Sequence, residues 1–98
     1  MIKILRINKK DNVAIILDST KKGKSFDMEG IPCVAKENIN FGHKVALSDI
    51  PKGNKVVKYG EVIGYAVKDI KKGDWVHVHN LQSNRGHLEG GKSDTDEI

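Results

Sequence analysis

The sequence predicts a single all-β domain, built from short strands that are joined by tight turns at glycine. No window of about 11–18 residues shows the sustained 3.6-residue periodicity of an amphipathic helix. The string Ile-x-x-Gly-x-x-Val, in contrast, occurs three times between residues 39 and 76. A chain of 98 residues fits one domain with a modest core. We therefore expect a compact, folded-over sheet without a long helix.

The first clear strand is predicted over residues 12–17, a short apolar segment rich in β-branched side chains. Polar residues bound it on both sides, as expected of a buried strand that ends in a turn. Residues 18–30 are polar and contain Gly23 and Gly30. This composition predicts a loop or a short hairpin.

Three similar turns follow. In each copy of the string an apolar residue enters the turn, glycine supplies the backbone freedom that includes positive φ, and valine begins the next strand. The copies are Ile39/Gly42/Val45, Ile50/Gly53/Val56 and Ile70/Gly73/Val76. The last two copies begin twenty residues apart, and in each of them an aspartate directly precedes the isoleucine, as Asp49-Ile50 and Asp69-Ile70. The spacing is too irregular for a solenoid, so the copies predict three β-turn corners.

Composition indicates a soluble cytoplasmic protein. Hydrophobic residues make up 38% and charged residues 31% of the chain, as in globular domains. The longest apolar run, residues 13–17, is far shorter than the roughly 20 residues of a membrane helix, and the N-terminus lacks the apolar region of a secretory signal. The single cysteine, Cys33, cannot form an internal disulfide, and its apolar neighbours predict a packing role.

Charge is uneven along the chain. The last eleven residues carry a net charge of −3, which leaves +7 on the rest of a chain whose total is +4. The positive net charge of residues 1–87 favours anionic partners such as nucleic acid, an acidic protein surface or a carboxylate substrate. The lysines are scattered, without a basic helix or a row of aromatic residues, which argues against nucleic acid as the partner.

Residues 1–87 are predicted to form the domain, and residues 88–98 are predicted to form a disordered acidic tail.

The repeated Asp-Ile-x-x-Gly turn resembles the SAF domain, a β-clip module found in sialic acid synthases, type III antifreeze proteins and flagellar assembly chaperones. Three further segments, residues 11–14 (Asp-Asn-Val-Ala), 41–47 (Phe-Gly-His-Lys-Val-Ala-Leu) and 58–66 (Lys-Tyr-Gly-Glu-Val-Ile-Gly-Tyr-Ala), are similar to the altronate and galactarate dehydratases. A fourth, residues 76–80 (Val-His-Val-His-Asn), resembles the altronate dehydratase and sulfolactate sulfo-lyase type. The resemblance covers about residues 4–85.

This resemblance implies the small subunit of a cytoplasmic hydro-lyase that dehydrates D-altronate to 2-keto-3-deoxygluconate with a large subunit, and that is inactive alone. The chain ends soon after the module, as expected of the stand-alone form. Similar subunits often continue from an Arg-Gly pair into a second Arg-Gly-Asp segment, whereas here Arg85-Gly86 is followed by residues 87–90 (His-Leu-Glu-Gly). The family implies iron(II) or manganese. The alternatives are a sulfolactate sulfo-lyase small subunit and a non-catalytic SAF module for carbohydrate binding or assembly. A homo-oligomer is left open, and neither nucleic acid nor membrane is an expected partner.

Dehydration of a 2,3-dihydroxy acid removes a weakly acidic proton beside the carboxylate and expels the neighbouring hydroxide. It needs a base, an acid or metal at the leaving group, and cations for the carboxylate. His43 follows Gly42 at a predicted turn, where a generic histidine is more often inert. The resemblance of Gly42-His43-Lys44 assigns His43 to acid–base work or substrate binding, and Lys44 to the carboxylate.

His77 and His79 are two residues apart in a predicted strand, which would place them on one face with Cα atoms roughly 6.5 Å apart. This suits two ligands of one metal or two contacts to a substrate, and equally a pair on a solvated face. Two histidines leave a metal site incomplete, so a large subunit or the substrate is expected to supply the rest. Asn80, directly after them, is assigned to the substrate through the resemblance.

Three other residues are candidate substrate ligands. Lys58 and Tyr59 precede Gly60 and would bind a carboxylate and a hydroxyl, or merely cap a sheet edge. Asn12 starts the first predicted strand, where it would bond to substrate or form part of a turn. Trp75 and Phe41 are predicted in the core or at a subunit interface.

Overall fold

The computed structural model describes residues 2–28 and 30–84, which form nine short strands and their connecting turns without an α-helix. None of the described residues belongs to a helix that could cross a membrane. The strands are β1 (Ile4–Leu5), β2 (Val13–Ile16), β3 (Ser25–Met28), β4 (Ile31–Val34), β5 (Lys44–Ala46), β6 (Lys55–Lys58), β7 (Glu61–Ala66), β8 (Trp75–Val76) and β9 (Leu81–Ser83). The all-β prediction is confirmed, whereas the predicted tail lies outside the described residues.

The central sheet has the order β1-β2-β5-β8, and all its neighbouring strands are antiparallel. Its strands are short, and their side chains alternate between the two faces. Val13 pairs with Ala46, and Ala14 pairs with Val45, so each pair faces one side of the sheet. All four side chains are at most 1% exposed. Both faces of this sheet are therefore buried.

Two hydrophobic clusters cover these faces. The first packs against the three-stranded sheet β6-β7-β9 and contains Val13, Ala46, Ile50, Val56, Ala66, Ile70, Val76 and Leu81. The second packs against the β3-β4 hairpin and contains Ala14, Ile16, Phe26, Cys33, Ile39, Val45 and Leu47. Cys33 is 2% exposed, which confirms its predicted packing role. The predicted loop or hairpin over residues 18–30 contains only the first strand of the hairpin, because the second strand, Ile31–Val34, lies beyond it.

The three predicted glycine turns are confirmed, and the structure contains a fourth. Gly42, Gly53 and Gly73 have φ values of 87°, 89° and 92°, a left-handed region that side chains with a Cβ rarely adopt. Gly23, with φ of 93°, makes the same turn three residues after Thr20. The sequence pattern missed this copy because threonine stands in the isoleucine position and phenylalanine in the valine position.

The four turns associate in two pairs. Thr20 bridges to Ile39 and Ile50 bridges to Ile70, in both cases through two antiparallel backbone hydrogen bonds of 2.8–3.0 Å. All four side chains are buried. The residue that begins each turn therefore also forms the contact that joins the two turns of a pair.

The residue before each bridge closes the partner turn. Asp49 Oδ1 accepts the Lys72 N–H, and Asp69 Oδ1 accepts the Lys52 N–H, both at 2.9 Å. In the other pair the acceptors are Ser19 Oγ, for the Phe41 N–H at 3.1 Å, and Asn38 Oδ1, for the Lys22 N–H at 2.9 Å. In the repeated Asp-Ile pairs, each aspartate therefore stabilises the other turn by accepting a hydrogen bond from its backbone.

Candidate functional site

Four aromatic rings meet at one end of the β5-β8 pair, and we call His43, Trp75, His77 and His79 the imidazole–indole cluster. The Trp75 and His77 rings are stacked, with centroids 5.3 Å apart and planes 12° apart. The His43 ring lies 5.1 Å from that of His77, and the His79 ring 4.9 Å from that of Trp75. The antiparallel pairing of β5 with β8 brings together two segments more than thirty residues apart in sequence.

His43 is held at the start of β5 by its backbone and its ring. Its carbonyl accepts the Ile16 N–H at 2.8 Å, and its own N–H donates to the Asn40 carbonyl at 3.0 Å. Its Nδ1 accepts the Trp75 Nε1–H at 3.1 Å. The next residue, Lys44, is only 3% exposed. The predicted roles of His43 in acid–base chemistry and of Lys44 at a carboxylate stay predictions.

The prediction that His77 and His79 share the face of a strand is wrong. Strand β8 ends at Val76, and residues 77–80 form a turn that leads into β9. The Asn80 side chain causes this, because its Oδ1 accepts the His77 N–H and its Nδ2 donates to the Trp75 carbonyl, both at 2.9 Å. Both histidines nevertheless reach the same partner, since the turn wraps their rings around Trp75.

Asn80 is 3% exposed, and the two bonds above use both polar groups of its side chain. In this position it shapes the turn that carries His77 and His79. Its predicted contact with substrate stays a prediction.

The pKa of His77 is lowered. Burial contributes most, because it penalises the imidazolium form, and the nearby His43, Lys44 and His79 add unfavourable positive charge. A lowered pKa favours the neutral imidazole, which is the form that accepts a proton or binds a metal.

The cluster does not by itself make an iron(II) or manganese site. Within residues 2–28 and 30–84 there is no group of three or more His, Cys, Asp or Glu residues placed to hold a metal ion. Iron and manganese sites combine imidazole with carboxylate or other oxygen ligands, whereas this cluster consists of imidazoles and an indole. The residues present do not fit either metal on their own, and the assignment of His77 and His79 as metal ligands stays a prediction.

Asn12 lies away from the cluster. Its Nδ2 donates to the Lys55 carbonyl at 2.9 Å, and its Oδ1 accepts the Val57 N–H at 2.7 Å. The amide thus extends the contact between β2 and β6. Lys44 pairs with Ile15, three residues along β2, so the two predicted ligands are roughly 10 Å apart along the strand. The structure does not bring Asn12 together with the cluster.

Lys58 and Tyr59 lie at the turn between β6 and β7. Tyr59 and Gly60 both have positive φ, 57° and 79°, which is the signature of a two-residue type I′ hairpin. Tyr59 is 43% exposed, and Lys58 Nζ lies 5.0 Å from the centre of its ring. The pair forms an exposed cation–π contact on the side of the domain that also carries Asn12. Its proposed role in substrate binding stays a prediction.

Asp11 is a buried carboxylate that the sequence analysis did not single out. It is 4% exposed, and it accepts the Gly60 N–H at 2.7 Å and the Asn8 N–H at 3.1 Å. Burial acts to raise its pKa, but the hydrogen bonds from the backbone, with that of Gly60 the strongest, outweigh burial and hold the pKa below its ordinary value. This carboxylate fixes the Tyr59–Gly60 turn against the loop before β2.

Asp11→Asn is expected to reduce the acid sensitivity of the fold. Because the folded pKa lies below the unfolded value, the ionised carboxylate stabilises the fold fully above about pH 4 and loses that contribution as pH falls through the lowered pKa. The variant should be less stable at pH 7, by about 1–3 kcal/mol. Urea unfolding between pH 2 and 7 measures both effects, and a difference between variant and wild type that stays constant with pH would contradict the assignment.

A family model described as the altronate/galactarate dehydratase SAF domain matches residues 2–84. The chain belongs to this family. It is 38% identical over 85 residues to altronate dehydratase from Bacillus subtilis, and 39% identical over 85 residues to altronate dehydratase from Escherichia coli. Each match covers 87% of this chain and 17% of the relative. A match of that length includes residues 14–85 wherever it begins, and therefore the whole imidazole–indole cluster of this SAF domain.

A second kind of relative is the alpha subunit of (2R)-sulfolactate sulfo-lyase. The protein from Paracoccus pantotrophus is 47% identical over 51 residues, which cover 52% of this chain and 76% of that subunit. The SAF-domain chain thus spans about one sixth of the altronate dehydratases that it matches, but most of this sulfo-lyase subunit. The relatives share lyase chemistry.

Two residues of the site could not be assigned from their own sequence signal. Trp75 precedes the Val-His-Val-His segment, but only the β5-β8 pairing shows that its indole reaches His43. Glu37 accepts the Trp75 N–H at 3.0 Å from a segment thirty-eight residues earlier. Both contacts depend on tertiary structure.

Proposed function

We propose that this chain is the small subunit of a sugar-acid hydro-lyase, which dehydrates D-altronate to 2-keto-3-deoxygluconate together with a large subunit. The observation that carries the proposal is the 38–39% identity to two altronate dehydratases over 85 residues, a length that includes the imidazole–indole cluster. The location of this enzyme in the cytoplasm is part of the proposal.

The proposed chemistry uses the cluster as one wall of a shared site. The half-buried His43 and His77 and the exposed His79 offer hydrogen bonds and proton-transfer groups to a hydroxy acid. The adjacent Lys44 adds positive charge for its carboxylate. The described residues contain no complete metal site. Iron(II) or manganese, if the enzyme uses either, would need further ligands from the large subunit or the substrate.

A separate small subunit is supported by the sulfo-lyase relatives, whose matching chains are named as alpha subunits. The surface next to the cluster supports the same arrangement. Phe41, two residues before His43, is 64% exposed, and Val78, between the two other histidines, is 63% exposed. Unlike apolar residues exposed elsewhere on the domain, these two flank the proposed site, where an interface with a partner would be centred. Since the chain matches 17% of each altronate dehydratase, we assign this surface to the large subunit.

Phe41→Glu and Val78→Glu are each expected to weaken binding of the large subunit by at least about tenfold, because a charge would be buried against an apolar contact. Ile7→Glu is the matched control, since Ile7 is equally exposed at 61% and precedes the Asp11 loop instead of the cluster. Copurification and titration calorimetry measure the effect. Equal affinities for all three variants would argue against this surface.

The main alternative is a sulfolactate sulfo-lyase small subunit, which would eliminate sulfite from a 2-hydroxy acid. It is favoured by identities of 42% and 47%, although these extend over only 51–52% of the chain. Galactarate is a further substrate to test, because galactarate dehydratase from Escherichia coli is 45% identical over 74 residues. A non-catalytic carbohydrate-binding or assembly module predicts no turnover of any of them.

The deciding experiment is coexpression with the product of the neighbouring gene, followed by assays of the purified complex. Altronate, galactarate and sulfolactate are supplied in parallel, each with added iron(II) or manganese(II). Formation of 2-keto acid from altronate is expected. Release of sulfite from sulfolactate would transfer the assignment to the sulfo-lyase, and a complex that turns over none of the three would favour the non-catalytic module.

A further inference from the structure

The bond between Trp75 and His43 determines which nitrogen of the histidine carries its proton. An indole N–H only donates hydrogen bonds, whereas a neutral imidazole has one donor nitrogen and one acceptor nitrogen. His43 Nδ1 lies 3.1 Å from Trp75 Nε1 and must therefore be the acceptor. The proton of neutral His43 is left on Nε2.

We propose that Trp75 is a positioning residue that fixes neutral His43 as the Nε2–H tautomer, so that Nε2 presents a hydrogen-bond donor to an oxygen of the substrate. A protonated Nε2 has no lone pair with which to abstract a proton or bind a metal. In the dehydration this donor suits a carboxylate or the departing hydroxyl. The base then has to be another group of the site.

Trp75 is fixed on several sides, and this makes it suitable for the role. Its backbone N–H donates to Glu37 Oε2 at 3.0 Å, and its carbonyl accepts from Asn80 Nδ2 at 2.9 Å. Its neighbour across the sheet is Val45, and its ring is stacked on His77. The indole therefore stays directed at His43.

Nitrogen-15 NMR of the full chain tests the tautomer without substrate or partner. In its neutral form, which the nitrogen-15 shifts themselves identify, His43 should show a pyridine-type Nδ1 and a pyrrole-type Nε2. A scalar coupling between Trp75 Nε1–H and His43 Nδ1 is expected in the same sample. A pyrrole-type Nδ1, or the absence of that coupling, would overturn the proposal, and neither observation requires a variant to fold.

Trp75→Phe removes the donor and keeps an aromatic ring. The His43 signals are then expected to shift toward a mixture of both tautomers. His79→Phe is the matched control, because it changes a ring that contacts Trp75 and leaves the bond to His43 in place. Unchanged His43 signals in Trp75→Phe, or equal shifts in the two variants, would show that Trp75 does not set the tautomer.

The second part of the proposal, that His43 Nε2–H donates to the substrate, rests on the proposed function and is tested separately in the active complex. Glutamine places an amide N–H near the position of Nε2 but cannot act as a base. His43→Gln is therefore expected to retain about tenfold more kcat than His43→Ala if His43 is a donor. Equal losses would assign His43 to another role. A complex without turnover would refute the proposed function and leave the NMR result standing.

Discussion

His43→Ala is expected to lower kcat/KM of the proposed complex with a large subunit by at least about a hundredfold, the scale of a group that transfers or donates a proton in the transition state. The His43 ring is fixed by the hydrogen bond that its Nδ1 accepts from Trp75 Nε1–H at 3.1 Å. Alanine removes both this bond and the group presented by Nε2. The loss should appear mainly in kcat, because the contact is strongest in the transition state.

Lys52→Ala is the control for this experiment, since Lys52 is exposed in the turn that ends at Gly53 and its bond to Asp69 uses the backbone N–H, which alanine keeps. It should leave kcat/KM unchanged. The two variants should also bind the large subunit equally well. Wild-type activity in His43→Ala would remove His43 from the candidate site.

Gly73→Ala is expected to destabilise the fold far more than Gly53→Ala. Both glycines have nearly the same positive φ, 92° and 89°, so both variants include a left-handed backbone penalty of about 1–2 kcal/mol. A Cβ at Gly53 would meet open space, whereas a Cβ at Gly73 would overlap the carbonyl oxygen of Val34. We expect Gly73→Ala to cost at least about 2 kcal/mol more.

The physical reason is a contact between segments distant in sequence. The Gly73 carbonyl accepts the Lys36 N–H at 2.9 Å, which joins the segment after β4 to the turn before β8. A side chain at Gly73 would separate the two and disturb the entry to Trp75. Thermal unfolding measures the difference, because each kcal/mol shifts Tm by about 4–8 °C in a domain of this size. Equal Tm values for both variants would contradict the close approach.

The fold was predictable to the extent that it depends on local signals. Positive φ at Gly42, Gly53 and Gly73 follows from the chemistry of glycine, and the apolar run before Asp18 indicates β2 directly. The Gly23 turn was missed because Thr20 does not look like a core residue by type. It is buried only because it bridges to Ile39, and this pairing has no local signal.

The site was less predictable than the fold. The motifs identified His43, His77 and His79. The prediction that the last two share a strand face was wrong, because the hydrogen bonds between the Asn80 side chain and the backbone terminate β8 at Val76. The predicted substrate ligand Asn12 directly precedes β2 and lies away from the cluster. Their separation depends on strand register, which short β-segments specify only through tertiary packing.

The most direct test of the account is a reconstitution assay of altronate dehydration. The large subunit is measured alone, with this chain, and with the His43→Ala chain, under identical metal conditions. We predict 2-keto acid formation with the wild-type chain, and rates at least about a hundredfold lower in the other two samples. Full activity of the large subunit alone would contradict the claim that this domain supplies part of the site.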